Sequence, residues 1–173
     1  PTPARVLSLG VNRGDELGVF ETLYGTQALD DLHLVGLDHS QTAIDYARAT
    51  YEHPSYDFRQ VDIAHVDFAS MGRFDLIIAI NTLHSPQFDG QAIFRQLVSH
   101  TLSPGGGVVL GFPNCRYIDH RARYGAQVKN YHGPELSVLL KEVTRYKRYL
   151  HQHKFSVRVL GKNTVFVVGR RIG

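Results

Sequence analysis

The chain has 173 residues, 43% of them hydrophobic, enough for one domain spanning residues 1–173 that buries about 70% of its unfolded surface, and too few for two comfortable ones. Its longest apolar run, around LIIAI, is far short of the roughly 20 residues a membrane helix needs, and its single cysteine, Cys115, rules out an internal disulfide and points to a reducing, cytoplasmic setting. The net charge of +3 hides a split, with 6 Lys/Arg against 13 Asp/Glu in residues 1–115 and 13 against 3 in residues 116–173; a basic part of this kind suits an anionic partner such as nucleic acid, or a solvated helix and hairpin.

Apolar runs bounded by turn residues alternate with helical patterns, the signature of βαβ units around a parallel sheet. RVLSLG is the first strand and DELGVFETLYG the first helix, with Asp15 placed to cap it or to complement its dipole. LHLVGLD is the second strand, ending at Asp38. The helix SQTAIDYARATY follows, capped by Ser40, with Ala43, Ala47 and Tyr51 along one face. YDFRQVD is a short third strand. RFDLIIAINTLH is a fourth, apolar enough to be buried on both faces.

GQAIFRQLVSHTL reads as a helix stopped by the turn SPGGG, and GVVLGF as the fifth strand. A polar, irregular stretch of about 20 residues follows, long enough in a compact domain to suggest a functional loop. PELSVLLKEVTRYKRYLHQH is a long helix with Pro134 in its first turn and a basic second half. FSVRVLG and TVFVVG close the chain as an antiparallel pair. His151 and His153, two apart on a helix, do not share a face, so no metal site is expected.

In an open parallel sheet, ligands bind beyond the carboxyl ends of the strands, where strand order reverses. Gly10 and Gly14 flank the first turn, where missing side chains let the backbone approach a ligand, although Gly14 serves equally well as a helix-packing glycine. Asp38, next to His39, sits where a carboxylate can accept from both hydroxyls of a ribose. Asp62, followed by Ile63, sits where one can accept from the amine of adenine. Asn81 and His84 crown the fourth strand.

Together these residues resemble the class I S-adenosylmethionine-dependent methyltransferases, over nearly the whole chain. The first motif of that family reads roughly VLDLGCGTG, and VLSLGVNRG matches it at Val6, Leu7, Leu9, Gly10 and Gly14. VGLDHSQTAIDYAR, QVDIAHVDF, FDLIIAINTLH and LSPGGGVVLGF follow the later motifs in order. A dinucleotide-binding oxidoreductase is the competing reading, but its G-x-G-x-x-G fingerprint is met here only by G-x-x-x-G. A non-catalytic RNA- or protein-binding module on the same fold is another.

The resemblance implies a Rossmann-like, doubly wound α/β fold with a mostly parallel seven-stranded sheet and an antiparallel C-terminal strand. It implies S-adenosylmethionine as cofactor, held by Gly10, Asn12, Gly14, Asp38, His39, Asp62, Ile63 and Asn81. Asn12 replaces a glycine yet tolerates positive φ. Ser8 replaces a carboxylate that in the family helps to organise the amino-acid end of the cofactor, and Arg13 is a candidate for the methionine carboxylate.

His84 is the candidate general base. Within Cys115–His132, basic and aromatic residues interleave, and Tyr117, Arg121, Arg123, Tyr124 and Tyr131 are the candidates for acceptor recognition, a small molecule being favoured over RNA. Family members commonly carry a helix before the first strand, whereas this sequence reaches that strand within a few residues of Pro1. A lid is therefore expected from a preceding region or a partner chain.

Overall fold

The computed structural model describes residues 2–114, 117–118, 121–122 and 139–172. In chain order its elements are β1 (Ala4–Leu9), α1 (Asp15–Tyr24), β2 (Leu32–Asp38), α2 (Gln41–Thr50), β3 (Tyr56–Gln60), β4 (Phe74–Ile80), α3 (Gly90–Gln96), β5 (Leu102–Pro113), β6 (Tyr117–Ile118), β7 (Arg121–Ala122), α4 (Leu139–Gln152), β8 (Phe155–Gly161) and β9 (Thr164–Arg171). Seven strands form one sheet in the order β3-β2-β1-β4-β5-β9-β8, and β6 pairs with β7 as a separate two-residue ribbon. The pairs β3-β2, β2-β1, β1-β4 and β4-β5 are parallel, whereas β9 runs antiparallel to both β5 and β8. A dinucleotide-binding sheet has the all-parallel order 3-2-1-4-5-6, and the antiparallel strand wedged beside β5 departs from it.

Side chains alternate between the two faces of each strand, and each face is covered by helices. Leu7, Leu9, Val35, Leu37, Ile77 and Val108 pack against α3 and α4, the latter presenting Val143, Tyr146 and Leu150 at helical spacing. Val6, Leu34 and Ile78 face the other way, against Leu17 of α1 and Ile44 and Ala47 of α2. Each fully buried Leu or Ile contributes about 1.5–3 kcal/mol relative to an exposed one, so these two layers hold the strand ends rigidly for the site above them.

One expected boundary differs. The helix that begins at Gly90 widens at its end into a π-type turn over Leu97–Thr101 instead of closing on the SPGGG turn. That stretch is a bulge inside β5: Phe74 pairs with Leu102 but Leu76 pairs with Gly107, so two steps on β4 face five on its partner. The helix α4 is described from Leu139, and Pro134, its expected first turn, lies outside the described residues. No helix among the described residues is long and apolar enough to cross a membrane.

Candidate active-site cleft

The order of the sheet reverses between β1 and β4, and a cleft of about 350 Å³ opens over that point. Its walls include Gly10 after β1, Asp38 at the tip of β2, Ile63 after β3, and Asn81 and Thr82 after β4. The loop after β1 is pinned to its neighbour, because the N–H groups of Gly10 and Val11 both donate to the Leu37 carbonyl, at 2.8 and 3.0 Å. This turn requires left-handed backbone at Gly10 (φ 66°) and Asn12 (φ 47°), the conformation that the Asn-for-Gly replacement permits.

Asp38 is the anchor of the cleft. It is only 6% exposed, its Oδ2 accepts from the Asn12 N–H and its Oδ1 from the Ser40 N–H, each at 2.9 Å. Ser40 caps α2 by accepting from the Ala43 N–H, so the aspartate is clamped between one loop and one helix start. Each carboxylate oxygen has further acceptor capacity beyond these single bonds. His39 is exposed beside it, with Nδ1 3.4 Å from Asp38 Oδ1.

The other expected cofactor residues divide. Asn12, His39, Ile63 and Asn81 line the cleft with Gly10 and Asp38. Gly14 is not among its walls. A Cβ there would come within 2.8 Å of the Tyr51 ring and 3.0 Å of Phe58, so this glycine serves the close packing of α1 against the aromatic cluster Tyr51, Tyr56 and Phe58. A Cβ at Gly10 would meet Thr82 Oγ1 at 2.4 Å, so the closest approach at Gly10 is to the loop after β4.

Asp62 lies just beyond the cleft. Its Oδ1 accepts from the Ala64 N–H at 3.0 Å and its Oδ2 lies 2.9 Å from His65 Nδ1, interactions that hold this exposed carboxyl below the usual range, the backbone bond first. It borders a neighbouring cavity of about 410 Å³ with Leu37, Arg59, His65 and Met71. An adenine amine reaching Asp62 would share oxygens that already serve this turn.

Ser8, Arg13 and His84 do not line the cleft. The Ser8 side chain is wholly buried, and its Oγ has no hydrogen-bond partner. The Arg13 guanidinium lies 4.9 Å over the Tyr46 ring of α2. The His84 ring packs at a tilt against Phe112, centroids 6.3 Å apart. Of the expected acceptor residues, Tyr117 has its backbone in β6 and Arg121 is exposed in β7. Arg123, Tyr124 and Tyr131 lie outside the described residues.

The structure adds Glu16, Thr82, Ser85, Gln87 and Phe88 to the walls. Thr82 is buried and donates from Oγ1 to the Leu9 carbonyl at 2.7 Å, tying the loop after β4 to the end of β1. Glu16, in the first turn of α1, has an Oε2 that is buried without a hydrogen-bond partner. Burial pushes its carboxyl up to about 7, outweighing a hydrogen bond from its own N–H, with Asp15 and Asp38 adding smaller pushes upward. In sequence Glu16 is an acid in the first turn of α1 directly before the buried Leu17 and Gly18, and no spacing pattern singles it out.

This geometry is that of a doubly wound sheet with an open cleft over its strand-order reversal. The chain is a member of the methyltransferase domain family, whose model matches residues 6–106. Among solved structures, the CurJ carbon methyltransferase superposes with a TM-score of 0.68 at 18% identity, covering 99% of this chain and 49% of that one. The DszA carbon methyltransferase gives 0.68 at 17% identity, covering 98% and 47%. The N-terminal domain of EvdMO1, solved with S-adenosylhomocysteine bound, gives 0.59 at 16% identity, covering 98% and 75%.

The chain thus spans about half the length of the CurJ and DszA structures. At these identities the likeness shows the fold. No curated protein matches the sequence. Family and fold together imply S-adenosylmethionine as the cofactor.

Proposed function

We propose that the cleft binds S-adenosylmethionine and that the protein transfers its methyl group to a small-molecule acceptor. The observation that carries this reading is Asp38: a buried carboxylate at the tip of β2, oriented by two backbone N–H groups, opening onto a cleft at the strand-order reversal. Its remaining lone pairs suit the two hydroxyls of a ribose, which donate without demanding a cation. Ile63 offers an apolar wall for a flat base, and Asn12 and Asn81 offer amides at the rim. The residues present therefore fit the group.

When bound, the cofactor supplies a methyl group on a positively charged sulfur that leaves as a neutral thioether. What the chain contributes is position. The loop after β4, tied to the end of β1 by the Thr82 to Leu9 bond, and the loop after β1, tied to β2 by Gly10 and Val11 on Leu37, would keep the cleft in one shape while an acceptor approaches in line. Because His84 stands outside the cleft walls, this reading assigns the step to positioning and not to proton removal by that side chain. Acceptor selection is proposed for the β6-β7 ribbon and its surroundings, with Tyr117, Arg121, Arg123, Tyr124 and Tyr131 as the residues to test, and a small molecule favoured over RNA.

Calorimetric titration with S-adenosylmethionine tests the reading. Wild type should bind, and Asp38→Ala should weaken binding about 10- to 100-fold, as expected for losing a charge-assisted contact to the ribose. A preference for NAD(P) would favour an oxidoreductase. The absence of any cofactor binding would favour a non-catalytic module.

A further inference from the structure

Beyond the cofactor itself, we propose that Glu16 accepts the α-ammonium group of S-adenosylmethionine, supplying from α1 the carboxylate that β1 lacks at Ser8. This rests on the reading of the cleft given above and concerns the end of the cofactor farthest from Asp38's ribose.

Three features of the cleft converge on it. First, Glu16 lines the same walls as Gly10, Asn12 and Asp38, and its Oε2 is buried with no donor. A buried carboxylate oxygen without a donor is costly, and a ligand that brings an N–H relieves that cost. Second, among the described residues no Lys or Arg lines the cleft, whereas two acids do, Glu16 and Asp38, so a cationic group of a ligand meets attraction there. Of the two positive centres of the cofactor, the sulfonium has no N–H, whereas the ammonium has three.

Third, β1 cannot do the same work. Ser8 pairs with Gly36 and Ile78, and alternation along β1 places it with Val6 on the face that α1 covers. Its hydroxyl is wholly buried under that helix without a partner and does not reach the cleft wall. The carboxylate has thus moved from the strand to the first turn of the helix above it. Asp38 is close enough to Glu16 to repel its charge, so the two acids mark neighbouring subsites of one cleft, and a cation between them and the solvent would be attracted by both.

The test compares S-adenosylhomocysteine with its deamino analogue, in which hydrogen replaces the amine, by calorimetry on wild type and Glu16→Gln. Wild type should prefer S-adenosylhomocysteine by about 10- to 100-fold, the range expected for a charge-assisted hydrogen bond. Glu16→Gln should erase that preference by weakening S-adenosylhomocysteine alone, and its retained binding of the deamino analogue shows that the variant is folded. An undiminished preference in the variant overturns the assignment. So does a variant that binds both ligands like wild type but loses methyl transfer, which would place Glu16 at the acceptor. Failure of wild type to bind either ligand sinks the cofactor reading instead.

Discussion

Replacing Glu16 by Gln should stabilise the ligand-free protein at neutral and alkaline pH, even though it removes a group we assign to ligand binding. The ordinary carboxyl value of 4.5 rises to about 7 in the folded state, chiefly through burial. The sign follows from proton counting. Between these two values the folded state keeps a proton that the unfolded chain has released, so stability falls as pH rises through that interval, and the full penalty is present above it. At about 1.36 kcal/mol per pH unit the penalty is at most about 3.4 kcal/mol. Glu16 is only partly buried, and solvent screening reduces the figure to about 1–2 kcal/mol. Glutamine carries no such penalty. Urea melts of both proteins at pH 4.5, 6 and 8 should therefore show the variant gaining about 1–2 kcal/mol on wild type across the series. A stability difference that is the same at all three pH values would show instead that Glu16 titrates alike in the folded and unfolded states.

Gly14→Ala should cost about 1–3 kcal/mol, because alanine resists φ of 90° and its Cβ would press on the Tyr51 and Phe58 rings; thermal melts should show Tm lower by several degrees. Thr82→Val should cost about 1–2 kcal/mol by stripping the buried Leu9 carbonyl of its donor, and it should also weaken S-adenosylhomocysteine binding, since the two loops it joins frame the cleft. Retained affinity in that variant, measured by calorimetry, would show that the Thr82 tie does not shape the site.

How legible the site was depends on how local its causes are. Asp38 could be read from the sequence because an apolar run ends on it and a capping serine follows two residues later, both local signals. Asn12 was legible for a similar reason: few residues other than glycine accept φ of 47°, and asparagine is one. The bulge in β5 was not. Pro and Gly announce that regular pairing is interrupted, but the register of β4 alone decides whether SPGGG joins two elements or swells within one strand.

The methionine end was the least legible. Arg13 lies over the ring of Tyr46, 33 residues away on α2, a long-range contact that its place in the loop does not announce. Glu16 follows Asp15 in the first turn of α1, and nothing local marks it off from an ordinary acid at a helix start. It lines the cleft together with Thr82 and Ser85 of the loop after β4, a juxtaposition of segments some 65 residues apart. Gly14 was open to a helix-packing reading from the start, and the neighbours of the two missing side chains differ accordingly: Thr82 at Gly10, the Tyr51 and Phe58 rings at Gly14.

If one cleft holds the whole cofactor between Asp38 and Glu16, a crystal of the protein soaked with S-adenosylhomocysteine should show density over the β1-β4 reversal, with both ribose hydroxyls on the Asp38 carboxylate and the amine within hydrogen-bond distance of Glu16 Oε2. Density at another place on the molecule, or a ribose turned away from Asp38, would contradict it.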